Sequence, residues 1–297
     1  VAADQGVMAP RTGTTRRGLG PGRAKRRGLG LALLLIPPLA WLVIAYLGSL
    51  AVLLVSALWS TDSFTGAVTR TVTTDNLVRV FTDAVFRVVT VRTLGIALAV
   101  TVICIVLAVP LALFMAKVAS PRVRLALLVA VTTPLWASYL VKAYAWRMLL
   151  SPEGPLAWVA GGTPGYGLIA TVITLSYLWL PYMVIPVFAA FERVPDALVD
   201  ASADLGASDA TTLRTVMAPL VFPGIAAGSI FTFSLSLGDY IAVTIVGGKT
   251  QMLGNLIYGQ LVTANNQPLA AALSLIPLAA IVAYLLAMRR TGALENV

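Results

Sequence analysis

Long apolar runs alternate with short clusters of charge along this chain, and the charges mark where one run stops and the next begins. Residues 31–59 and 93–116 carry no charge, and each exceeds the ~20 residues an α-helix needs to cross the hydrocarbon of a bilayer. A third run covers 123–146, with Arg124 and Lys142 near its ends, where long side chains can snorkel. The fourth covers 167–191. The fifth covers 222–245 with Asp239 as its one charge, and the sixth covers 268–288. The pattern predicts an all-α, polytopic transmembrane bundle of about six spanning helices. Pro37 and Pro38 are expected to kink or delay the first helix.

Composition agrees with lipid as the solvent. The chain has 297 residues, 59% of them hydrophobic and 11% charged, against about 25% charged in soluble domains. Mean hydropathy is +0.90. The first run is too long for a signal-peptide core of ~7–15 residues and has no small-residue cleavage site after it, so it reads as a membrane anchor. Three regions follow: a basic, disordered tail over 1–30, a membrane domain over 31–291, and a short tail over 292–297.

The net charge of +9 changes the picture only at the surface. Seven of the 21 Lys and Arg fall within the first 27 residues, beside a membrane segment and without interleaved aromatics. They read as a topology signal toward anionic lipid, and nucleic acid is not expected as a partner. With the N-terminal tail and the C-terminus both inside, the inner segments collect 14 basic residues and the outer segments 7, as the positive-inside rule requires. The longest outer connection, 60–92, is charge-balanced and is expected to hold a short surface helix. There is no histidine, and Cys104 is the one cysteine. Intrachain disulfides are thereby excluded, and neither a metal cluster nor a histidine relay is expected.

The inner connection over 192–218 breaks the charge rule, with acids at Glu192, Asp196, Asp200, Asp204 and Asp209. It reads as two short helices. Pro195 suits the start of the first, Gly206 the left-handed residue that ends it, and Ser208 the N-cap of a second that stops at Pro219. Asp196, Asp200 and Asp204 form an acidic stripe at i, i+4 and i+8, beside a small apolar stripe of Ala197, Ala201 and Leu205. Spacing alone fits a solvated surface helix as well as a contact element.

The run Asp200-Ala201-Ser202-Ala203-Asp204-Leu205-Gly206-Ala207, with Pro195 and Leu198 before it and Leu213, Val216 and Pro219 after, resembles the EAA loop of ABC-importer permeases. It departs from that pattern with Asp200 for Glu, Ser202 for the second Ala, and Ala218 for the Leu before Pro. Residues 92–288 further resemble the spermidine/putrescine branch, through 134–146, 177–182, 237–241 and 246–248. The resemblance implies a permease subunit of the inner membrane whose loop, including Asp204, couples to a cytoplasmic ATPase dimer. It also implies a second permease subunit and an extracytoplasmic solute-binding protein. No Gly-x-x-x-x-Gly-Lys-Ser/Thr stands in the chain, so ATP and Mg belong to the partner ATPase, and no cofactor or enzymatic activity is expected here. Polyamines are the expected solute, with an amino acid or phosphonate as alternatives. A proton-coupled secondary transporter is disfavoured by the lack of histidine and of repeats.

The fifth run carries the candidate pathway. Ser229, Thr232, Ser236 and Asp239 share one helical face and lead to Tyr240. Gly224 and Gly228 form a close-packing Gly-x-x-x-Gly surface. An acid in a membrane helix points to function, although an interfacial anchor, capping a helix or pairing with Lys249, is equally open. Trp136, Tyr139, Tyr144, Trp146, Tyr177, Trp179 and Tyr182 read as packing or interfacial aromatics rather than a cation cage, since Lys142 and Arg147 lie among them.

Overall fold

The computed structural model describes residues 33–62 and 65–290. The tails at 1–30 and 292–297 lie outside the described residues. The chain divides into two units, residues 1–52 and 53–297. In the first, the described part belongs to helix α1, Leu33–Ala57. It runs through Pro37 and Pro38 and widens into a π turn at Val43–Leu47, so the prolines do not delay its start.

The second unit begins with the last turn of α1. A two-residue hairpin follows, β1 (Ser60–Thr61) against β2 (Val68–Thr69), then helix α2 (Asp75–Thr82). The expected surface helix of this connection is therefore present. The Asp83 side chain accepts the Val85 N–H at 2.8 Å and caps α3, Ala84–Val118. At 35 residues α3 starts nine positions before the uncharged run. Next come α4 (Pro121–Trp136), α5 (Tyr139–Leu149), α6 (Pro155–Ala160) and α7 (Leu168–Glu192). Then follow α8 (Asp196–Asp204), α9 (Asp209–Gly238) and α10 (Ile241–Val246). The last are α11 (Leu253–Tyr258), which continues as a π turn at Gly259–Thr263, and α12 (Gln267–Arg290).

Two expected spans are not single rods. The third is a pair, α4 and α5, bent by 101° at Ala137–Ser138. The fifth starts earlier than its apolar run and ends at Gly238, with α10 as a separate helix beyond Asp239. Five helices are thus long and apolar enough to span, or six with the bent pair counted as one.

Helices α3, α7 and α9 form the centre of the unit. Their common core includes Val100, Cys104, Ala108, Leu175, Met183, Val187 and Val221. The α7–α9 crossing is close because Gly224 and Gly228 lack side chains. A Cβ on Gly224 would lie 2.5 Å from Ala190 Cβ and 2.7 Å from the Pro186 carbonyl oxygen. On Gly228 it would lie 2.7 Å from Met183 Sδ. A second cluster packs α12 against α2, the start of α3 and the end of α1 through Ala57, Val80, Phe86, Leu269 and Leu273.

Candidate functional site

Two places gather the residues singled out by sequence, one at each end of the bundle. At the first, α8 is anchored rather than free. Lys117, at the end of α3, donates to the Val194 carbonyl at 2.7 Å and forms an ion pair with Asp196 at 2.6 Å. Arg124 of α4 donates to the Met115 and Ala116 carbonyls, both at 3.0 Å, closing the end of α3. It also pairs with Glu192, at the end of α7, at 3.1 Å. The Lys117 ammonium, by hydrogen bond and charge, holds the Asp196 carboxyl below the usual carboxylate range.

The helix then ends in a Schellman arrangement. Gly206 adopts φ +76°, its N–H reaches the Ala203 carbonyl at 2.8 Å, and the Ala207 N–H reaches the Ser202 carbonyl at 3.1 Å. Ser202, the buried member of the motif, shares a 2.9 Å hydrogen bond with Thr212 of α9. Ser208 caps α9 by accepting the Thr211 N–H at 3.4 Å. Leu213 packs against the main core. Ala197, Leu198, Asp200, Ala201, Asp204 and Leu205 are exposed, with Leu205 at 88%. The acidic and small apolar stripes therefore both face outward.

One expectation fails here. The second helix of the loop does not stop at Pro219; it continues through Pro219 and Pro223 to Gly238. A π turn at Leu213–Met217 stands directly before Pro219. A widened turn accommodates the proline ring where an α-turn would clash with the carbonyl four residues back. Pro219 instead borders a cleft of about 540 Å³ together with Pro186, Arg193, Pro223 and Gly224.

At the other end Asp239 sits in the break between α9 and α10, not inside a continuous helix. It is 7% exposed. Its Oδ1 accepts the Ala242 N–H at 2.9 Å, capping α10, and its Oδ2 accepts the Tyr139 hydroxyl from the start of α5. One carboxylate thus holds together the two interruptions, at 137–138 and at 239–240. Lys249 is not its partner. Tyr139 stacks on Trp179 of α7 with ring centroids 6.1 Å apart, and Trp179 meets Tyr182 at 5.9 Å. Asp239, Tyr240, Tyr139 and Trp179 border a cleft of about 320 Å³ with Ser234 and Ile241. Tyr240 stacks on Tyr258 at 4.9 Å.

The other three pathway candidates are elsewhere. Ser229, Thr232 and Ser236 are buried, and their hydroxyls donate to the Ala226, Gly228 and Thr232 carbonyls of their own helix. The aromatic set divides as well. Trp136 is 90% exposed, and Trp146 pairs with Tyr177 at 5.2 Å. Arg147 donates to the Ile245 carbonyl and lies 4.8 Å over the Tyr166 ring, so its charge is engaged. The sequence presents Tyr139 and Trp179 only as aromatics, with no signal that Tyr139 bonds Asp239 and Trp179 stacks behind it. The anchors Lys117 and Arg124 carried a readable signal, a base at a helix end facing an acidic loop.

Comparison with known proteins follows the same lines. The profile described as "Binding-protein-dependent transport system inner membrane component" matches residues 108–290. The chain is 42% identical over 287 residues to the inner membrane ABC transporter permease protein YdcU of Escherichia coli K12, covering 90% of this chain and 91% of that one. Over 252 residues it is 31% identical to the spermidine/putrescine transport system permease protein PotB of the same organism, covering 82% and 90%. A chain of a bacterial ABC transporter that imports the acidic polysaccharide alginate shares the fold, with a TM-score of 0.67 at 18% identity, covering 91% and 98%.

Proposed function

This chain belongs to the family of binding-protein-dependent transport system inner membrane components, the membrane-embedded permease subunits of ABC importers, and from that premise we propose that its solute is a small organic polycation of the polyamine class. The observation that carries the reading is the cleft at the α9–α10 break. There a carboxylate, Asp239, stands among the aromatic rings of Tyr139, Trp179 and Tyr240. An ammonium group gains a charge-assisted hydrogen bond from the carboxylate and attraction to the ring faces. The likeness to the spermidine/putrescine permease supports the same choice.

In this reading the α8 end faces the cytoplasm. Its exposed Ala197, Ala201 and Leu205 let the surface of a separate ATPase subunit approach closely, while Lys117 and Arg124 transmit the movement of α8 to α3, α4 and α7. ATP and Mg are held by that partner. A second permease subunit completes the passage, and an external binding protein delivers solute to the Asp239 end.

Asp239→Asn tests the solute class. Asparagine keeps an oxygen for the Ala242 N–H and an amide to bond the Tyr139 oxygen, so the fold is expected to survive. Uptake of spermidine or putrescine into vesicles, per assembled complex, should fall on the order of tenfold or more. Unchanged cation uptake per complex removes Asp239 from the solute site. Uptake of a neutral or anionic solute by the wild-type complex, in preference to a polyamine, removes the polyamine reading altogether.

A further inference from the structure

A third cleft, of about 350 Å³, opens on α3 at the end away from α8. It is lined by Ala84, Val85, Val88, Val89, Arg92, Lys249 and Gln251. Val85, Val88 or Val89, and Arg92 recur at i, i+3 or i+4, and i+7, so they share one helical face. Lys249 and Gln251 come from the loop between α10 and α11. That loop is fixed on α3, since the Leu253 N–H donates to Thr93 Oγ1 at 2.9 Å. Gly248, at φ +57°, makes the turn that brings Lys249 over the helix.

Among the described residues neither cation is paired with an acid; the ion pairs there are Lys117–Asp196 and Arg124–Glu192. Asp83, the nearest acid along the chain, is engaged in capping Val85. The lining is therefore two positive charges and an amide beside a row of valines. Val85 and Val88 are 57% and 56% exposed.

Depth decides what fits. The uncharged part of α3, residues 93–116, is about 36 Å long at 1.5 Å per residue and fills the ~30 Å hydrocarbon layer. Arg92 then stands at the hydrocarbon boundary, and the turns from Ala84 to Arg92 rise through the headgroup layer. A ligand here needs a negative head between the cations and an apolar body that enters the hydrocarbon below Arg92.

We propose that this groove is a binding site for an anionic phospholipid. Its phosphate lies between Arg92 and Lys249, Gln251 bonds the polar headgroup, and the acyl chains run from Arg92 down the uncharged part of α3, past the exposed Ala99 and Ile103. The inference is independent of which solute the permease carries.

Native mass spectrometry of the full chain in a non-ionic detergent tests the site, with phosphatidylglycerol or phosphatidylcholine added. The wild type should retain phosphatidylglycerol in preference. Arg92→Gln/Lys249→Gln should bind it roughly thirtyfold more weakly, and Arg92→Lys, which keeps the charge, should retain most of it. Arg122→Gln/Arg289→Gln, losing the same charge from the α8 end, should match the wild type. Equal loss in both double variants would mean attraction to net charge and would overturn the site. So would displacement of the lipid by inorganic phosphate that itself binds as tightly, which would make the groove a free-anion site. Loss of a co-purifying protein subunit from the Arg92→Gln/Lys249→Gln variant, without any difference in retained lipid, would reassign the groove to a protein contact.

Discussion

Gly206 shows how much a single residue can set in this fold. Its φ of +76° closes the Schellman turn that ends α8 and aims the chain into α9. A Cβ placed there meets nothing within 4 Å in this chain, so the demand for glycine comes from the backbone and not from crowding within the subunit. Gly206→Val should cost about 1–2 kcal/mol at the turn and disconnect α8 from ATP hydrolysis, leaving an inserted protein with little solute-stimulated ATPase activity. Gly206→Asn should keep much of it, because asparagine tolerates the left-handed region. The comparison separates conformation from bulk. If valine and asparagine are equally inactive, the surface of the partner is too close for any side chain; if both are fully active, the turn is not part of the coupling.

At the scale of elements, α7 and α9 are held by a contact that depends on missing atoms. Gly224→Ala would place a methyl 2.7 Å from the Pro186 carbonyl oxygen, which is backbone and cannot rotate away. Overpacking of this kind costs about 1–3 kcal/mol, and the variant should melt several degrees lower in detergent. Gly95→Ala in α3 is the control. Nothing lies within 4 Å of its Cβ, and alanine favours the helix by about 1 kcal/mol, so its melting temperature should hold or rise. Equal destabilisation by both would show that the crossing is not tighter than the rest of the bundle. The Gly224–Gly228 contact was legible in the sequence, as were the loop helix, its glycine and the existence of most spans, because charges and small residues stand out against an apolar background. Helix faces were not legible: in lipid both faces of α3 are apolar, so no periodicity distinguishes the buried Val100 and Cys104 from the exposed Leu98 and Val102. The helix end expected at Pro219 is absent, since Pro219 lies inside α9, where the π turn before it and neighbouring helices accommodate what would stop a helix in water. The break at Ala137–Ser138 falls within an uninterrupted run and left no mark. The break at Asp239 does leave one, Gly238 followed by an acid, and of the alternatives the sequence offers for Asp239 the helix cap is the one present.

For the whole bundle, the anchoring of α8 settles the path of the bent pair. Lys117 ends α3 and Glu192 ends α7, and both meet the same loop end through Asp196 and Arg124. Helices α3 and α7 therefore run in the same direction, and the chain between them must return to the far end. It does so through α4 and α5: Arg124 starts α4 beside Glu192, and the Gly167 N–H, at the start of α7, meets the Val246 carbonyl of α10 at 3.0 Å. The pair bent by 101° is thus a net crossing and not a hairpin that enters and leaves by one side. Between Val72, 80% exposed in the connection after α1, and Ser208 of the coupling loop, the chain crosses three times, an odd number. Single cysteines at these positions, in a Cys104→Ser background, should react from opposite sides of the membrane. With the α8 end on the cytoplasmic side, as the proposed coupling to an ATPase requires, Val72→Cys should react with an impermeant maleimide added to intact cells. Ser208→Cys should react only after the membrane is opened. The reverse pattern would keep the crossings and invert the orientation, placing α8 beyond the reach of a cytoplasmic ATPase. Labelling of both from outside would make the bent pair re-entrant, and the shared end of α3 and α7 could not then stand.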